Sequence, residues 1–117
     1  MHLAPHLLLR SDAAPSNAAI LLGAAGYVVS KIDDDGVAEM LAGSPHIDGV
    51  VVELPAGPAI RFGRKLEARY GTEAPLTLMI TSARDTVRRA LPSVPVLTPF
   101  EVADDLISTV DLALARS

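Results

Sequence analysis

An unbroken run of β-branched residues, Val50-Val51-Val52, ends in a carboxylate, Glu53. Three valines with no polar alternation predict a strand covered on both faces, the mark of a central parallel strand. Glu53 then stands at the carboxyl edge of that strand, where open α/β sheets build their sites. A charge placed there is either the chemistry of the protein or the remains of it. Two other segments bring reactive groups to the ends of apolar runs: Arg10-Ser11-Asp12 after Leu7-Leu8-Leu9, and Thr81-Ser82 after Leu76 to Ile80. The hydroxyl pair has no histidine base near it in sequence, which argues against nucleophilic hydrolysis. His2, His6 and His46 are isolated, with no partner at metal or triad spacing, and read as surface or edge residues. Pro55-Ala56-Gly57-Pro58 lacks the glycines of a phosphate loop and reads as a rigid turn. The triplet Asp33-Asp34-Asp35 precedes a helical run and reads as a helix cap in preference to a metal site.

The elements that must position these groups follow from apolar periodicity. Leu7 to Leu9 predicts a first buried strand, with Ser11, Asp12 or Ser16 available to cap a helix over Pro15 to Ala25 that stops at Gly26. Tyr27 to Ser30 is a second strand, and Val37, Met40 and Leu41 mark a second helix. After the central strand, Phe62, Leu66 and Tyr70 give one buried face to a helix over Ala59 to Tyr70, ended by Gly71. Leu76 to Ile80 is the fourth strand. A short helix over Asp85 to Leu91 follows, with Asp85 as its cap, and Pro92 and Pro95 bracket the approach to a fifth strand, Val96-Leu97. Val102, Leu106, Val110 and Leu114 mark the last helix, with Asp104 and Asp105 in its first turn. Strand and helix alternate five times with no hairpin signal, which predicts a parallel five-stranded sheet flanked by helices on both sides.

At 117 residues and 50% hydrophobic, the chain suits one domain, 1–117, with a two-sided core. The core must be aliphatic, because there are only two Phe, two Tyr and no Trp. The same scarcity leaves no aromatic platform for stacking nucleic acid bases, and a net charge of -4 opposes general affinity for phosphates. The absence of cysteine removes disulfides, thiol catalysis and thiolate metal sites. The run Leu7-Leu8-Leu9 is too short for a signal-peptide core or a membrane span. A soluble, cytoplasmic protein that binds neither nucleic acid nor membrane is expected.

Five βα units with an acid after strand three, Thr-Ser after strand four and Pro-Phe after strand five resemble the receiver domain of two-component response regulators. Asp48-Gly49-Val50-Val51-Val52-Glu53-Leu54-Pro55 looks like the segment around the phospho-acceptor. Leu78-Met79-Ile80-Thr81-Ser82 looks like the segment carrying the hydroxyl residue that senses the phosphoryl group. Val94-Pro95-Val96-Leu97-Thr98-Pro99-Phe100 looks like the Lys-Pro-Phe segment without its lysine, and Ala24-Ala25-Gly26-Tyr27 is a typical end for the first helix. The resemblance covers nearly the whole chain. It implies a flavodoxin-like (CheY-like) three-layer sandwich with strand order 2-1-3-4-5 and five helices.

The departures from the family are concentrated in the pocket. The family's acceptor is an aspartate, and its position holds Glu53. The acidic pair that binds Mg²⁺ after strand one falls on Leu9 and Arg10, or on Ser11 and Asp12, according to the alignment. The lysine that holds the phosphoryl group is replaced by Thr98 or deleted, and the aromatic switch position falls on Pro95 or Val96. Only Thr81 clearly matches. Phosphoryl transfer to a receiver needs a carboxylate nucleophile, a hard divalent cation and a lysine. Mg²⁺ usually relies on more than one carboxylate or phosphate oxygen, so no cofactor and at best weak Mg²⁺ binding are expected.

Two charge arguments extend this reading. Strands one and three are neighbours in the family's sheet, so Arg10 could stand in for the metal by pairing with Glu53, which could also accept a hydrogen bond from Thr81. Seven of the ten basic residues, Arg61, Arg64, Lys65, Arg69, Arg84, Arg88 and Arg89, lie between positions 61 and 89, against Glu67, Glu73 and Asp85. The asymmetry could form a basic surface facing an acidic partner or the acidic last helix of a second copy, and solvated helix faces account for the same residues. The sequence thus leads to a degenerate receiver-like domain without enzymatic activity or an attached effector domain. It would act as a phosphorylation-independent interaction module with a histidine kinase, a phosphotransfer protein, another regulator or itself as partner. A working single-domain response regulator and a small flavodoxin-like domain binding a nucleotide or other anion, through Arg84 and Thr81, are the competing readings.

Overall fold

The computed structural model describes residues 4–116. His2 therefore lies outside the described residues. Five strands, β1 (His6–Ser11), β2 (Val28–Ile32), β3 (Gly49–Glu53), β4 (Thr77–Ile80) and β5 (Val96–Leu97), form one parallel sheet in the order β2-β1-β3-β4-β5. The helices between and after them are α1 (Asn17–Ala24), α2 (Asp35–Ala42), α3 (Ala56–Tyr70), α4 (Arg84–Ala90) and α5 (Val102–Arg116). The chain is the parallel sheet flanked by helices that the alternation predicts, in the flavodoxin-like order that the resemblance implies.

Side-chain alternation sorts β1 and β3 between two cores. Leu8, Val50 and Val52 pack with Met79 and Val96 under α2, α3 and α4, around the fully buried Phe62. Leu7, Leu9 and Val51 pack with Leu78, Ile80 and Leu97 under α1 and α5. Because successive strand residues point to opposite faces, consecutive residues at the end of β1 serve opposite sides of the sheet.

Ser16, of the three candidates, caps α1 by accepting from the Ala19 N–H, and Asp34 caps α2 by accepting from Val37, as the acidic triplet predicts. Gly26 has φ 98°, the left-handed value that lets the chain leave α1 and enter β2. Two expectations are corrected. Pro55 to Pro58 is not a free turn, because α3 already starts at Ala56, after Pro55. Pro58 is tolerated in that first turn because the N–H it lacks would have no intrahelical partner there. Asp85 does not cap α4. Ala83 occupies the cap position without a side-chain bond, and Asp85 lies inside the first turn, where its charge still faces the favourable end of the helix dipole.

Candidate functional site

The carboxyl ends of β1, β3 and β4 bring Ser11, Glu53 and Thr81 to one edge of the sheet. Register sets which of them meet. Ser11 pairs with Glu53, and Arg10 pairs with Val52. Ser11 and Glu53 therefore share the face under α1 and α5, whereas Arg10 follows Leu8 onto the opposite face. Glu53 Oε1 accepts from two hydroxyls, Ser11 Oγ at 2.6 Å and Ser16 Oγ at 2.7 Å. Both serines are buried, and each also accepts a backbone N–H, from Ala13 and Ala19 respectively. Ser16 thus joins the start of α1 to the end of β3. Glu53 Oε2 has no protein partner among the described residues.

Arg10 does not meet Glu53. The arginine, only 7% exposed, lies under α2, with Nε 2.6 Å from Asp35 Oδ1 and Nη1 2.7 Å from Asp12 Oδ1. Lys65 Nζ adds a longer contact of 3.4 Å to Asp35 Oδ2. Burial alone would lower the pKa of Arg10, but the hydrogen bonds and charges of Asp12 and Asp35 outweigh it and hold the guanidinium above its ordinary value. For Asp35, burial pushes upward and the Arg10 hydrogen bond and charge, helped by Lys65, more than reverse it, so its carboxyl lies below its ordinary value. Asp35 was legible only as a helix cap, and its partner lies 25 residues away.

Thr81 does not reach Glu53 either. The residue is 2% exposed, its N–H donates to the Leu97 carbonyl, and Oγ1 is buried without a hydrogen-bond partner among the described residues. Ser82 is exposed beside it. Thr98 is occupied locally: its N–H and Oγ1 donate to Glu101 Oε1 at 2.9 and 3.0 Å, and Arg84 Nη1 donates to the same oxygen at 2.8 Å. Glu101 therefore ties the connection after β5 to the start of α4. The Thr98 hydrogen bonds, backbone first, and then the charge of Arg84 lower its pKa. Nothing in the sequence reading singled out Glu101 or Ser16 as a partner in these bonds, although Ser16 was legible as a cap.

Between α1 and the start of α5 lies an open groove of about 630 Å³. Ile20, Leu21, Leu54, Ile80 and Val102 give it apolar walls, and Asp12, Glu53 and Thr81 lie at its sheet end. As a Mg²⁺ site this donor set fits poorly. Asp12 is already paired with Arg10, Glu53 Oε1 is already shared by two hydroxyls, and Ser11 stands where β1 could have offered a carboxylate. No group of three or more His, Asp or Glu side chains among the described residues is arranged to hold a metal ion.

Of the basic residues singled out in sequence, Arg61, Arg64, Arg88 and Arg89 are exposed on α3 and α4, which pack side by side. Lys65 and Arg84 are engaged within the molecule, with Asp35 and Glu101. No helix among the described residues is long and apolar enough to cross a membrane.

No family model and no curated relative matches the chain. Solved structures do. The signal receiver domain of a modulated diguanylate cyclase from Desulfovibrio desulfuricans G20 superimposes with a TM-score of 0.73 at 24% identity, over 97% of this chain and 95% of that one. A response regulator receiver protein from Burkholderia phymatum gives 0.65 at 24% identity, over 95% of each chain. A de novo designed Rossmann 2x3 protein gives 0.67 at 13% identity, over 93% of this chain and 90% of that one. That a designed chain superimposes about as well as a natural receiver shows that the likeness is one of backbone. The fold is that of receiver domains, with strand order 2-1-3-4-5 and five helices.

Proposed function

We propose that this chain is a receiver-like module of two-component signalling that works by protein contact and does not take up a phosphoryl group. The observation that carries the reading is the environment of Glu53: its Oε1 is held by Ser11 and Ser16, the neighbouring Asp12 is paired with Arg10, and no lysine lines the groove beside it. Arg10 is turned to the other face and neutralised by Asp12 and Asp35, and Thr98, where the resemblance expects lysine, is bound to Glu101. Side chains that neither offer a metal ion a second free carboxylate nor supply an ammonium group provide little of the electrostatic stabilisation that phosphoryl transfer needs. Weak or no Mg²⁺ binding belongs to the same reading.

The partner is then a protein: a histidine kinase, a phosphotransfer protein, another regulator or a second copy. Two surfaces support such contacts. Arg61, Arg64, Arg88 and Arg89 make the α3–α4 side basic, suited to an acidic partner. Ile20 on α1 and Phe100 beyond β5 are exposed apolar side chains, the latter 92% exposed, near where receivers meet kinase-type partners by resemblance.

The test is incubation with acetyl phosphate and Mg²⁺ followed by intact-mass measurement. The expected result is an unmodified chain. A phosphoryl adduct that disappears in Glu53→Gln would overturn the reading in favour of a working single-domain response regulator.

A further inference from the structure

We infer that the groove between α1 and α5 is a binding site for a small amphipathic organic cation, an ammonium carried on an apolar body. Its volume of about 630 Å³ falls within the roughly 300–1,000 Å³ of small-molecule pockets. The charges around it define what it can hold. Glu53 and Asp12 line it, and no Lys, Arg or His does. Asp12 is compensated by Arg10, so the uncompensated carboxylate is that of Glu53. Ser11 and Ser16 saturate one of its oxygens and fix the side chain, while Oε2 lacks a protein partner. A carboxylate pre-oriented by two buried hydroxyls loses little side-chain freedom on binding, which favours a charge-assisted hydrogen bond to an ammonium.

The rest of the groove suits the body of such a ligand. Ile20 is 59% exposed on α1, and Leu21, Ile80 and Val102 continue the apolar surface. A ligand lying there would cover surface now open to water and place its charged end against Glu53. An anion would instead face two carboxylates with no opposing cation in the lining. The groove thereby disfavours the nucleotide-type ligand that Arg84 and Thr81 suggest in the sequence, since Arg84 points to Glu101 instead. The inference does not depend on how the module signals, because a chain that takes up no phosphoryl group and one that does can each be tested for the cation.

Three probes of nearly equal shape separate charge from apolar burial: 2-phenylethylamine, 2-phenylethanol and phenylacetate, titrated into the ¹⁵N-labelled full chain and followed by NMR. The expected result is saturable shifts for the amine around Glu53, Ile20 and Val102, with affinity at least about tenfold above the alcohol and no saturation by phenylacetate. Glu53→Gln should lower amine affinity by about tenfold or more while leaving the remaining spectrum folded. Ala103→Phe, at an exposed position lining the groove, should block the amine by filling space with Glu53 intact. Equal affinity for all three probes, amine binding that survives Glu53→Gln, or no saturable response to the amine would overturn the inference.

Discussion

The two faces of the sheet receive consecutive residues of β1 and treat them in opposite ways. Arg10 goes under α2, where its buried side chain is bonded to Asp35 and Asp12. Ser11 goes under α1, into a hydrogen-bonded arrangement that occupies Oε1 of Glu53, a residue that lines an open groove. The first arrangement pairs its charges with one another, and the second leaves the charge of Glu53 without a cationic partner among the described residues. Two adjacent positions of one strand thus divide the edge into an ion-paired half and a half that lines a groove.

The largest expected difference between the halves is in stability. Arg10→Leu removes a buried cation and leaves Asp35, a partly buried carboxylate, with only the longer 3.4 Å contact to the half-exposed Lys65. Breaking such a pair from one side costs about 3 kcal/mol or more, read as a lower denaturation midpoint. Glu53→Gln should cost about 1 kcal/mol or less in the same measurement, because an amide oxygen can still accept from both serines. Comparable losses at the two sites would erase the distinction.

Between these extremes lie two packing and capping tests. A Cβ at Gly43 would stand 2.5 Å from the Tyr70 ring, whose hydroxyl donates to the Glu39 carbonyl at the end of α2. Gly43→Ala is therefore expected to cost about 1–3 kcal/mol, since a rigid ring and its hydrogen bond must move together. Ser16→Ala removes the α1 cap and one Glu53 bond, for about 1–2 kcal/mol. It should also shift the Glu53 resonances, whereas Gly43→Ala should leave them in place, so a reversed pattern would contradict the assignment of faces.

The smallest effect is in pH dependence. Asp35 has a folded-state pKa below its ordinary 3.8, so the stability it contributes is present above that value and is lost as pH falls through the lower folded value. Asp35→Asn should flatten the acid limb of stability against pH. At the alkaline end, burial and then the hydrogen bond to Asp111 push Tyr27 up to about 12, so its contribution is present below pH 10 and disappears as pH rises through about 12. Tyr27→Phe should remove that alkaline fall, and a retained fall would place its origin elsewhere.

Much of this organisation was legible before any coordinates. The valine run and the five alternations led to the parallel sheet, the resemblance to receivers implied its order, and Ser16, Gly26 and Gly71 marked helix ends because their chemistry is local. The site was harder for a reason visible in Arg10. Its parity with Leu8 puts it on the face opposite Ser11, whereas a pairing with Glu53 follows only from the strands being neighbours, and adjacency in a sheet does not give the face. Asp35 and Glu101 were not legible as ion partners, since nothing local says which of fourteen acids folds back onto a given arginine. Pro55 to Pro58 read as a turn from composition alone, when the helix dipeptides needed only a first-turn position for proline.

The central claim is that this edge, although folded as in receivers, is not assembled to hold a metal ion and a phosphoryl group. Titrating ¹⁵N-labelled protein with Mg²⁺ and then with beryllofluoride, a phosphoryl analogue, tests both requirements at once. The expected outcome is no saturable shift at Asp12, Glu53 or Thr81. Saturation at these residues by Mg²⁺, or by beryllofluoride in its presence, would contradict the account.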